Sequence, residues 1–207
     1  MGGRIAEENR DDNPRTDWEY RYKIGDAGWD QGRPAPAVNE ALEFFAPESR
    51  ILVPGCGFGH DAAALAAAGH SVEGWDLART AIEGARKRYG SDRLEFFERN
   101  LFESEQEDAG VQERFDAVFE HTFLCAVGPD GWEKAVRSFA NLLHPEGRVF
   151  AVLFTALEER SPPPWGISEE QAHRLFSPLF LVESVAKPRE AFDHRLGEET
   201  VWKLRKK

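Results

Sequence analysis

Short apolar runs alternate with amphipathic stretches along the chain from residue 50 onward. A run of this length, bounded by glycine, proline or polar residues, is typical of a strand that is buried on both faces of a sheet. The intervening stretches carry an apolar stripe and end near glycine or proline, which is typical of helices. The pattern predicts strands over residues 50–55, 71–76, 94–100, 115–127 and 148–154.

The predicted helices lie between these strands. They cover 60–69, 78–90 and 131–147, and a further amphipathic helix follows Pro36. Strands that alternate with helices form parallel βαβ units with right-handed crossovers. Two later apolar runs, 180–187 and 199–207, are predicted to close the sheet as an antiparallel pair. The fold class is therefore α/β: a Rossmann-like, doubly wound, seven-stranded sheet, mostly parallel, with helices on both faces.

The segment before the first strand differs in composition from the rest. Residues 1–17 are charged and rich in Pro and Asn, and we expect a disordered tail there. Residues 18–36 are dense in Trp, Tyr and Gly, which is unlike an ordinary core helix. We interpret 18–207 as a single domain, in which 18–36 form an aromatic lid segment.

Charge and length limit the classes of partner. The 207 residues include 26 Lys and Arg against 37 Asp and Glu, for a formal net charge of -11. Without a basic stripe, nucleic acid and anionic membranes are poor partners. As partners we expect a small-molecule substrate, and we expect a monomer. The sequence has no apolar run near 18 residues and a polar amino terminus, so we expect a cytoplasmic protein.

Metal chemistry is not expected. The two cysteines, Cys56 and Cys125, lack CxxC spacing, and the six histidines show no HExxH pattern. A disulfide framework or a zinc site is therefore not predicted. Each cysteine is interpreted as a small apolar residue of the core.

The turn after the first predicted strand is rich in glycine. The stretch LVPGCGFGHD places Gly55, Gly57 and Gly59 at alternate positions. Such a turn either bends the chain sharply or lets a ligand lie against bare backbone. The dinucleotide fingerprint GxGxxG would need its third glycine at His60. The spacing therefore favours a ligand without a pyrophosphate group at this point.

A carboxylate follows at the end of the second predicted strand. In doubly wound sheets, ligands bind beyond the carboxyl ends of the strands, where Asp76 and the glycine turn would meet. Asp76 could accept hydrogen bonds from both hydroxyls of a ribose, and both NAD and S-adenosylmethionine carry one. The alternative is that Asp76 caps the next helix. Together with the glycine turn, ribose binding is the favoured interpretation.

The third predicted strand ends in RNLFE. Asn100 is placed to hydrogen-bond an adenine edge, and Leu101 and Phe102 offer backbone and apolar contact. An ordinary surface turn explains these residues equally well. The stretch alone does not separate the two interpretations.

Taken in order, the motifs resemble a known enzyme family. From Trp18 onward they read WEYRY, GWDQGRPAP, LVPGCGFGHD, GWD, FDAVFEHTFLCAV, LLHPEG and SPPPW. This set resembles the class I S-adenosylmethionine-dependent methyltransferases, and within them the thiopurine methyltransferase superfamily, closest to its thiol and halide methyltransferase branch. Most class I enzymes carry an acid where this chain has Val53, and VPGCG is what this superfamily shows instead. The resemblance implies S-adenosylmethionine as the cofactor and S-adenosylhomocysteine as its product.

The resemblance also implies a set of site residues. Trp18, Tyr22 and Trp29 form an aromatic triplet that would close over cofactor and acceptor. Trp29, His121 and Trp165 would converge above the methyl group as catalytic residues. His121 would orient the nucleophile, take a proton, or only satisfy a backbone group at the strand end. Tyr22 stands where the family has Trp, and Asn100 and His121 replace the Asp and Tyr of the halide branch. The full predicted cofactor site is Trp18, Tyr22, Trp29, Gly55, Gly57, Gly59, Asp76, Asn100, Leu101, Phe102 and His121.

These features favour methyl transfer to a small soft nucleophile. Aromatic faces stabilise a sulfonium cation, and a thiol needs little acid–base assistance. We expect thiols, sulfide or heavier halides as acceptors, with iodide ahead of chloride and thiopurines secondary. The competing classes are an NAD-dependent oxidoreductase, against which the glycine spacing counts, and a non-catalytic module that binds a nucleoside.

Overall fold

The computed structural model describes residues 17–103, 113–157 and 161–207. A seven-stranded sheet runs through the molecule in the order β3-β2-β1-β4-β5-β7-β6. The strands are β1 Arg50–Pro54, β2 Ser71–Asp76, β3 Leu94–Glu98, β4 Phe115–His121, β5 Leu143–Phe154, β6 Phe180–Ala186 and β7 Glu199–Lys206.

Helices precede the sheet and connect its strands. The described helices are α1 Trp18–Lys23, α2 Val38–Phe44, α3 His60–Ala67, α4 Arg79–Arg88, α5 Leu124–Val127, α6 Pro129–Leu142 and α7 Glu169–Phe176, with a 3₁₀ turn at Asp193–Arg195.

The strand directions confirm the predicted fold. Strands β1 to β5 pair in parallel, and β7 pairs antiparallel with both β5 and β6. The order of the strands reverses between β1 and β4, so the connections leave a crevice at the carboxyl end of β1. This reversal is the usual ligand position in an open α/β sheet.

The largest differences from the predicted element boundaries lie at two places. Strand β4 ends at His121, and residues 124–127 form a short helix rather than more strand. Thr122 takes a φ of 65° between them, which ends the extended run. Helix α6 ends at Leu142 rather than at Pro145, because Leu143 already pairs with Phe115 in the sheet.

The core has two layers, one on each face of the sheet. Helices α6 and α7 cover one face with fully buried aromatic side chains such as Phe139 and Phe176. Helices α2 and α3 cover the other face, where Phe150 stacks on Phe119 with ring centroids 5.9 Å apart. Because helices cover both faces of the sheet, a ligand can reach the strands at the edge formed by their ends.

The predicted tail at 1–17 falls almost wholly outside the described residues. Its last member, Asp17, is part of the fold, because its carboxylate accepts the backbone N–H of Tyr20 and caps α1. Within the described ranges, no helix combines the length and the apolar character that crossing a membrane requires.

Candidate active site

A cavity of about 360 Å³ opens at the carboxyl ends of the parallel strands. Its walls come from the segment before α2, from the ends of β1 to β5, and from the turn before β7. The segment before α2 contributes Trp18, Tyr22 and Trp29. The strand ends and the residues after them contribute Gly55, Asp76, Asn100, Leu101, Phe102, Thr122 and Phe154. The turn before β7 contributes His194 and Arg195. Most of the residues predicted from the motifs are therefore brought together here.

The glycine turn serves the cavity in two different ways. Gly55 lines it with a φ of 57°, and a Cβ atom there would lie 2.8 Å from Cδ2 of Phe123. Gly57 and Gly59 are not among the lining residues. A Cβ at Gly57 would lie 2.8 Å from the Tyr22 hydroxyl, and one at Gly59 would meet the ring of Phe96. The first glycine keeps the cavity open, and the other two let neighbouring side chains pack close to the turn.

Asp76 is bound to the glycine turn by its side chain. One carboxylate oxygen accepts the N–H of Gly57 at 2.8 Å and the other accepts the N–H of Ala78 at 2.8 Å. Burial raises the pKa of Asp76, and the side chain is almost fully covered. The N-cap of α4 is Ala78, so Asp76 does not occupy the N-cap position, although it accepts the N–H of that residue. Each carboxylate oxygen keeps acceptor capacity, and Asp76 lines the cavity.

The stretch after β3 combines both sequence interpretations. Asn100, Leu101 and Phe102 all line the cavity. At the same time, the Asn100 side chain forms a local turn, accepting from the N–H of Phe102 at 3.0 Å and donating to Glu103 at 2.8 Å. The turn thus fixes the side chain, and adenine recognition by Asn100 stays a prediction.

The three aromatic residues of the predicted lid pack against one another. Trp18 meets Trp29 edge-on with ring centroids 5.3 Å apart, and Tyr22 meets Trp29 at 5.4 Å. The indole N–H of Trp29 donates to the Tyr22 hydroxyl at 3.1 Å. Burial raises the pKa of Tyr22, so this hydroxyl is neutral. The cluster presents aromatic faces and edges to the cavity with no free anion of its own.

Helix α1 is fastened to the sheet domain through α4. The Glu19 carboxylate accepts the backbone N–H and the hydroxyl of Thr80, each at 2.9 Å. These bonds satisfy donors in the first turn of α4, which has no side-chain cap of its own. Arg21 lies 4.4 Å from the centroid of the Trp29 ring and pairs with Asp26. The lid therefore lies over the cavity in a defined position.

The motifs did not indicate Arg195, which is the most buried cation of the lining. Only 5% of its surface is exposed, and it lies in the 3₁₀ turn before β7. Its Nη1 contacts His121 Nε2 at 3.0 Å and Glu199 at 3.4 Å, and its Nη2 contacts the carbonyl oxygen of Trp29 at 3.4 Å. With Nε directed to His194 at 3.3 Å, the second N–H of Nη2 has no partner among the described residues.

Two residues predicted to be catalytic lie behind the wall rather than in it. His121 is not among the lining residues, and its ring nitrogens face Asp61 and Arg195. Trp165 packs over Gly128, where an added Cβ would lie 2.7 Å from its Nε1. The lining part of SPPPW is instead Pro163 and Pro164. Direct contact of His121 or Trp165 with a reacting group therefore has no support in this geometry.

The two thiols near the cavity are poor nucleophiles. Burial raises the pKa of both thiols, Cys56 and Cys125, which keeps them protonated. Burial also raises the pKa of Glu120 to about 7, although its Oε1 accepts the N–H groups of Phe123 and Leu124. Within the described ranges, no cluster of three or more His, Cys, Asp or Glu residues is arranged to hold a metal ion.

The cavity fits a nucleoside that carries a positively charged sulfur. Gly55 leaves the backbone bare where a side chain would collide with Phe123. The buried carboxylate of Asp76 retains acceptor sites for sugar hydroxyls, and Trp18 and Trp29 offer aromatic surface to a cation. The backbone at Gly55 and the acid at Asp76 stand on adjacent parallel strands, as the binding of one ribose would require.

Comparison with known proteins agrees with this geometry. Residues 14–207 match the profile of the thiopurine S-methyltransferase family. The chain is 29% identical to probable thiol methyltransferase 2 of Arabidopsis thaliana, covering 94% of this chain and 87% of the relative. It is 29% identical to thiocyanate methyltransferase 1 of the same plant, covering 91% and 84%.

A solved structure supports the fold independently. The 1,6-didemethyltoxoflavin-N1-methyltransferase of Burkholderia thailandensis, solved with S-adenosylhomocysteine, superposes with a TM-score of 0.68. It shares 21% identity and covers 93% of this chain and 86% of its own. With a family profile matched over nearly the whole length, the chain belongs to the thiopurine S-methyltransferase family and is an S-adenosylmethionine-dependent methyltransferase.

Proposed function

We propose that this enzyme transfers the methyl group of S-adenosylmethionine to a small, soft acceptor that binds as an anion. The acceptors in view are thiolates, hydrosulfide, thiocyanate and the heavier halides. The observation that carries the proposal is the buried guanidinium of Arg195, which lines the cavity beside the ring of Phe154 and keeps one Nη2 hydrogen without a partner among the described residues. Relatives named for thiols and thiocyanate support it.

The cofactor would be held by residues on the β1, β2 and β3 side of the cavity. Gly55 supplies bare backbone, Asp76 accepts hydrogen bonds from the ribose, and Asn100 to Phe102 flank the base. When bound, S-adenosylmethionine supplies a methyl group activated by a sulfonium. On this chain, Trp29 and Trp18 cover the site and exclude water from it.

The acceptor would be held by residues on the β4, β5 and β7 side. Arg195 lies between the rings of Phe154 and Phe192, 5.4 Å and 5.3 Å from their centroids. A guanidinium in such surroundings is poorly hydrated and binds weakly hydrated anions well. Iodide and thiocyanate lose their water more easily than chloride does. The site therefore favours iodide over chloride and sulfur anions over oxygen anions.

Arg195 would also remove the need for a strong general base. A free thiol has a pKa of about 8.5, and an adjacent cation lowers it, so the thiolate fraction rises on binding. The proton leaves to solvent before the cavity closes.

Two other functions are less well supported. Thiopurine methylation is the second candidate, because the family profile is named for it and a planar heterocycle suits aromatic walls. It is secondary here, because the thiol and thiocyanate methyltransferases match 94% and 91% of this chain. A non-catalytic S-adenosylmethionine-binding module would leave the unpartnered N–H of Arg195 without a purpose.

The test is a methyl-transfer screen with S-adenosylmethionine and a fixed set of acceptors. The set contains hydrosulfide, a small thiol, thiocyanate, iodide, chloride and a thiopurine, with volatile products measured by gas chromatography. We expect turnover with the sulfur anions and with iodide, and slower turnover with chloride and the thiopurine. Methylation of only oxygen or nitrogen acceptors, or chloride faster than iodide and thiols, would overturn the proposal.

A further inference from the structure

Three buried side chains form a continuous hydrogen-bonded chain behind the acceptor end of the cavity. Asp61 Oδ2 lies 2.8 Å from His121 Nδ1, and His121 Nε2 lies 3.0 Å from Arg195 Nη1. The three side chains are only 16%, 10% and 6% exposed. They come from α3, β4 and the turn before β7, so the tertiary fold alone brings them together.

The chemistry of the guanidinium determines which nitrogen of His121 carries a proton. Arginine has only N–H donors and no acceptor, so His121 Nε2 must present its lone pair to Arg195. The proton of the neutral ring is then on Nδ1, where it is donated to Asp61. This is the tautomer in which one histidine both donates to a carboxylate and accepts from a cation.

Asp61 is itself held in place. Its Oδ1 accepts the backbone N–H of Ala35 at 2.6 Å, which leaves Oδ2 directed at His121. Burial acts to raise the pKa of Asp61, but its interactions with His121 and Ala35 outweigh burial and lower the pKa. The carboxylate is therefore ionised and can only accept, which fixes the proton of His121 on Nδ1.

We propose that Asp61 and His121 are positioning residues, which hold Arg195 in the orientation that binds the anionic acceptor. This inference rests on the proposed function, because it assigns Arg195 to the acceptor. His121 takes one Nη1 hydrogen and Glu199 the other, so the guanidinium plane is fixed and Nη2 points toward Trp29 and the cavity. Without the His121 bond, the guanidinium keeps only its longer contacts of 3.3 to 3.4 Å to His194, Glu199 and the Trp29 carbonyl oxygen, and its plane can turn about the Cδ–Nε bond.

The most specific test is Asp61→Asn, because it changes the tautomer of His121 and keeps the shape of the side chain at position 61. The amide oxygen must stay on the Ala35 N–H, so the amide NH₂ faces His121 and forces its proton onto Nε2. An Nε2–H then opposes the Nη1–H of Arg195. We expect the KM for thiocyanate and hydrosulfide to rise about 10-fold, with kcat and the Kd for S-adenosylmethionine changed less than about 3-fold.

Substitutions of His121 give a second, independent reading. His121→Phe removes both contacts and should raise the acceptor KM about as much as Asp61→Asn does. His121→Gln keeps an oxygen that can accept from Arg195 and should restore the KM to within about 3-fold of the wild type. The matched control is His70→Phe, since His70 is also buried but packs against Phe45, and neither residue lines the cavity. It should leave the acceptor KM unchanged.

Arg195→Met separates failure of this inference from failure of the proposed function. If Arg195→Met raises the acceptor KM but Asp61→Asn and His121→Phe do not, the positioning role is wrong and the anion site stands. If Arg195→Met leaves the acceptor KM unchanged, the proposed function itself is wrong. If His121→Gln behaves like His121→Phe while both remain folded by circular dichroism, the acceptor role of Nε2 is overturned.

Discussion

The two sides of the cavity are built from different kinds of contact. On the β1 and β2 side, the backbone of the glycine turn and the carboxylate of Asp76 bind each other directly, through the Gly57 N–H. On the β4, β5 and β7 side, the central group is a cationic side chain, Arg195, held by His121 and Glu199. One side offers acceptors and bare backbone, and the other offers a donor.

This difference separates the tasks of the two sides. A carboxylate that retains acceptor capacity suits the neutral hydroxyls of a sugar, and it repels an anionic acceptor from the cofactor side. Under the proposed function, the buried guanidinium of Arg195, which also pairs with Glu199, attracts that anion. Under the proposed function, substitutions on each side should affect one reactant more than the other.

The largest expected effect is on the cofactor side, with Gly55→Val. A Cβ there would lie 2.8 Å from Phe123 at a φ of 57°, so both collision and backbone strain oppose it. We expect the Kd for S-adenosylmethionine, measured by calorimetry, to rise at least about 100-fold, equivalent to about 2.7 kcal/mol. Gly69→Val is the matched control, since Gly69 also has positive φ but no neighbour within 4 Å. Normal cofactor binding by Gly55→Val would mean that the turn has only a folding role.

The next effect is on the acceptor side, with Arg195→Met. Loss of a charge-assisted hydrogen bond costs about 1.5–3 kcal/mol, which raises the KM for thiocyanate about 10-fold to 100-fold. The Kd for S-adenosylmethionine should change less than about 3-fold. Arg195→Lys keeps the charge but not the planar geometry, so its KM for thiocyanate should lie between those of the wild type and Arg195→Met. Equal loss of cofactor and acceptor binding would contradict the division of the cavity.

A smaller effect is expected where the two sides meet, at Trp29. Its ring packs on Trp18 and Tyr22, and its carbonyl oxygen contacts Arg195. Trp29→Ala should lower kcat about 10-fold and weaken cofactor binding only about 3-fold, because water enters the closed site. Trp29→Phe keeps an aromatic face and serves as the control. A Kd that changes more than kcat would make Trp29 a cofactor-binding residue alone.

The smallest effect concerns the attachment of the lid. Burial acts to raise the pKa of Glu19, but hydrogen bonds from Thr80 and Lys23 outweigh it and lower the pKa. The contact is therefore complete above the usual range of a glutamate and is lost as the pH falls through the lowered pKa. Glu19→Gln should weaken cofactor binding about 2-fold at neutral pH. The difference in the Kd for S-adenosylmethionine between wild type and variant should be smaller at acidic pH than at neutral pH. If the difference in Kd stays the same at acidic pH, the ionised Glu19 carboxylate is not what holds α1 on α4.

The sequence predicts the cofactor side far better than the acceptor side. Asp76 and Asn100 follow strands whose apolar runs are readable, and the fold places such strand ends together. Arg195 lies in a short turn with no motif. Glu199 is only four residues away, but His121 is distant in the chain, and so is Asp61, which contacts His121. Because nothing local marks this cluster, it became visible only in the tertiary structure.

His121 shows the same limit in a single residue. Its position at the end of β4 is predictable, and the resemblance directs attention to it. Its neighbours are set by α3 and by the turn before β7, so its side chain faces Arg195 rather than the cavity. The prediction identified a residue of interest, and only its contacts could indicate what it does.

The most direct test of the account is the binding of thiocyanate to the complex of the enzyme with S-adenosylhomocysteine. Line broadening of ¹³C-labelled thiocyanate detects weak binding without turnover. We expect saturable broadening with the wild type that iodide competes away more effectively than chloride, and loss of that broadening in Arg195→Met while S-adenosylhomocysteine still binds. Broadening of equal size in Arg195→Met, or none in the wild type, would contradict the account.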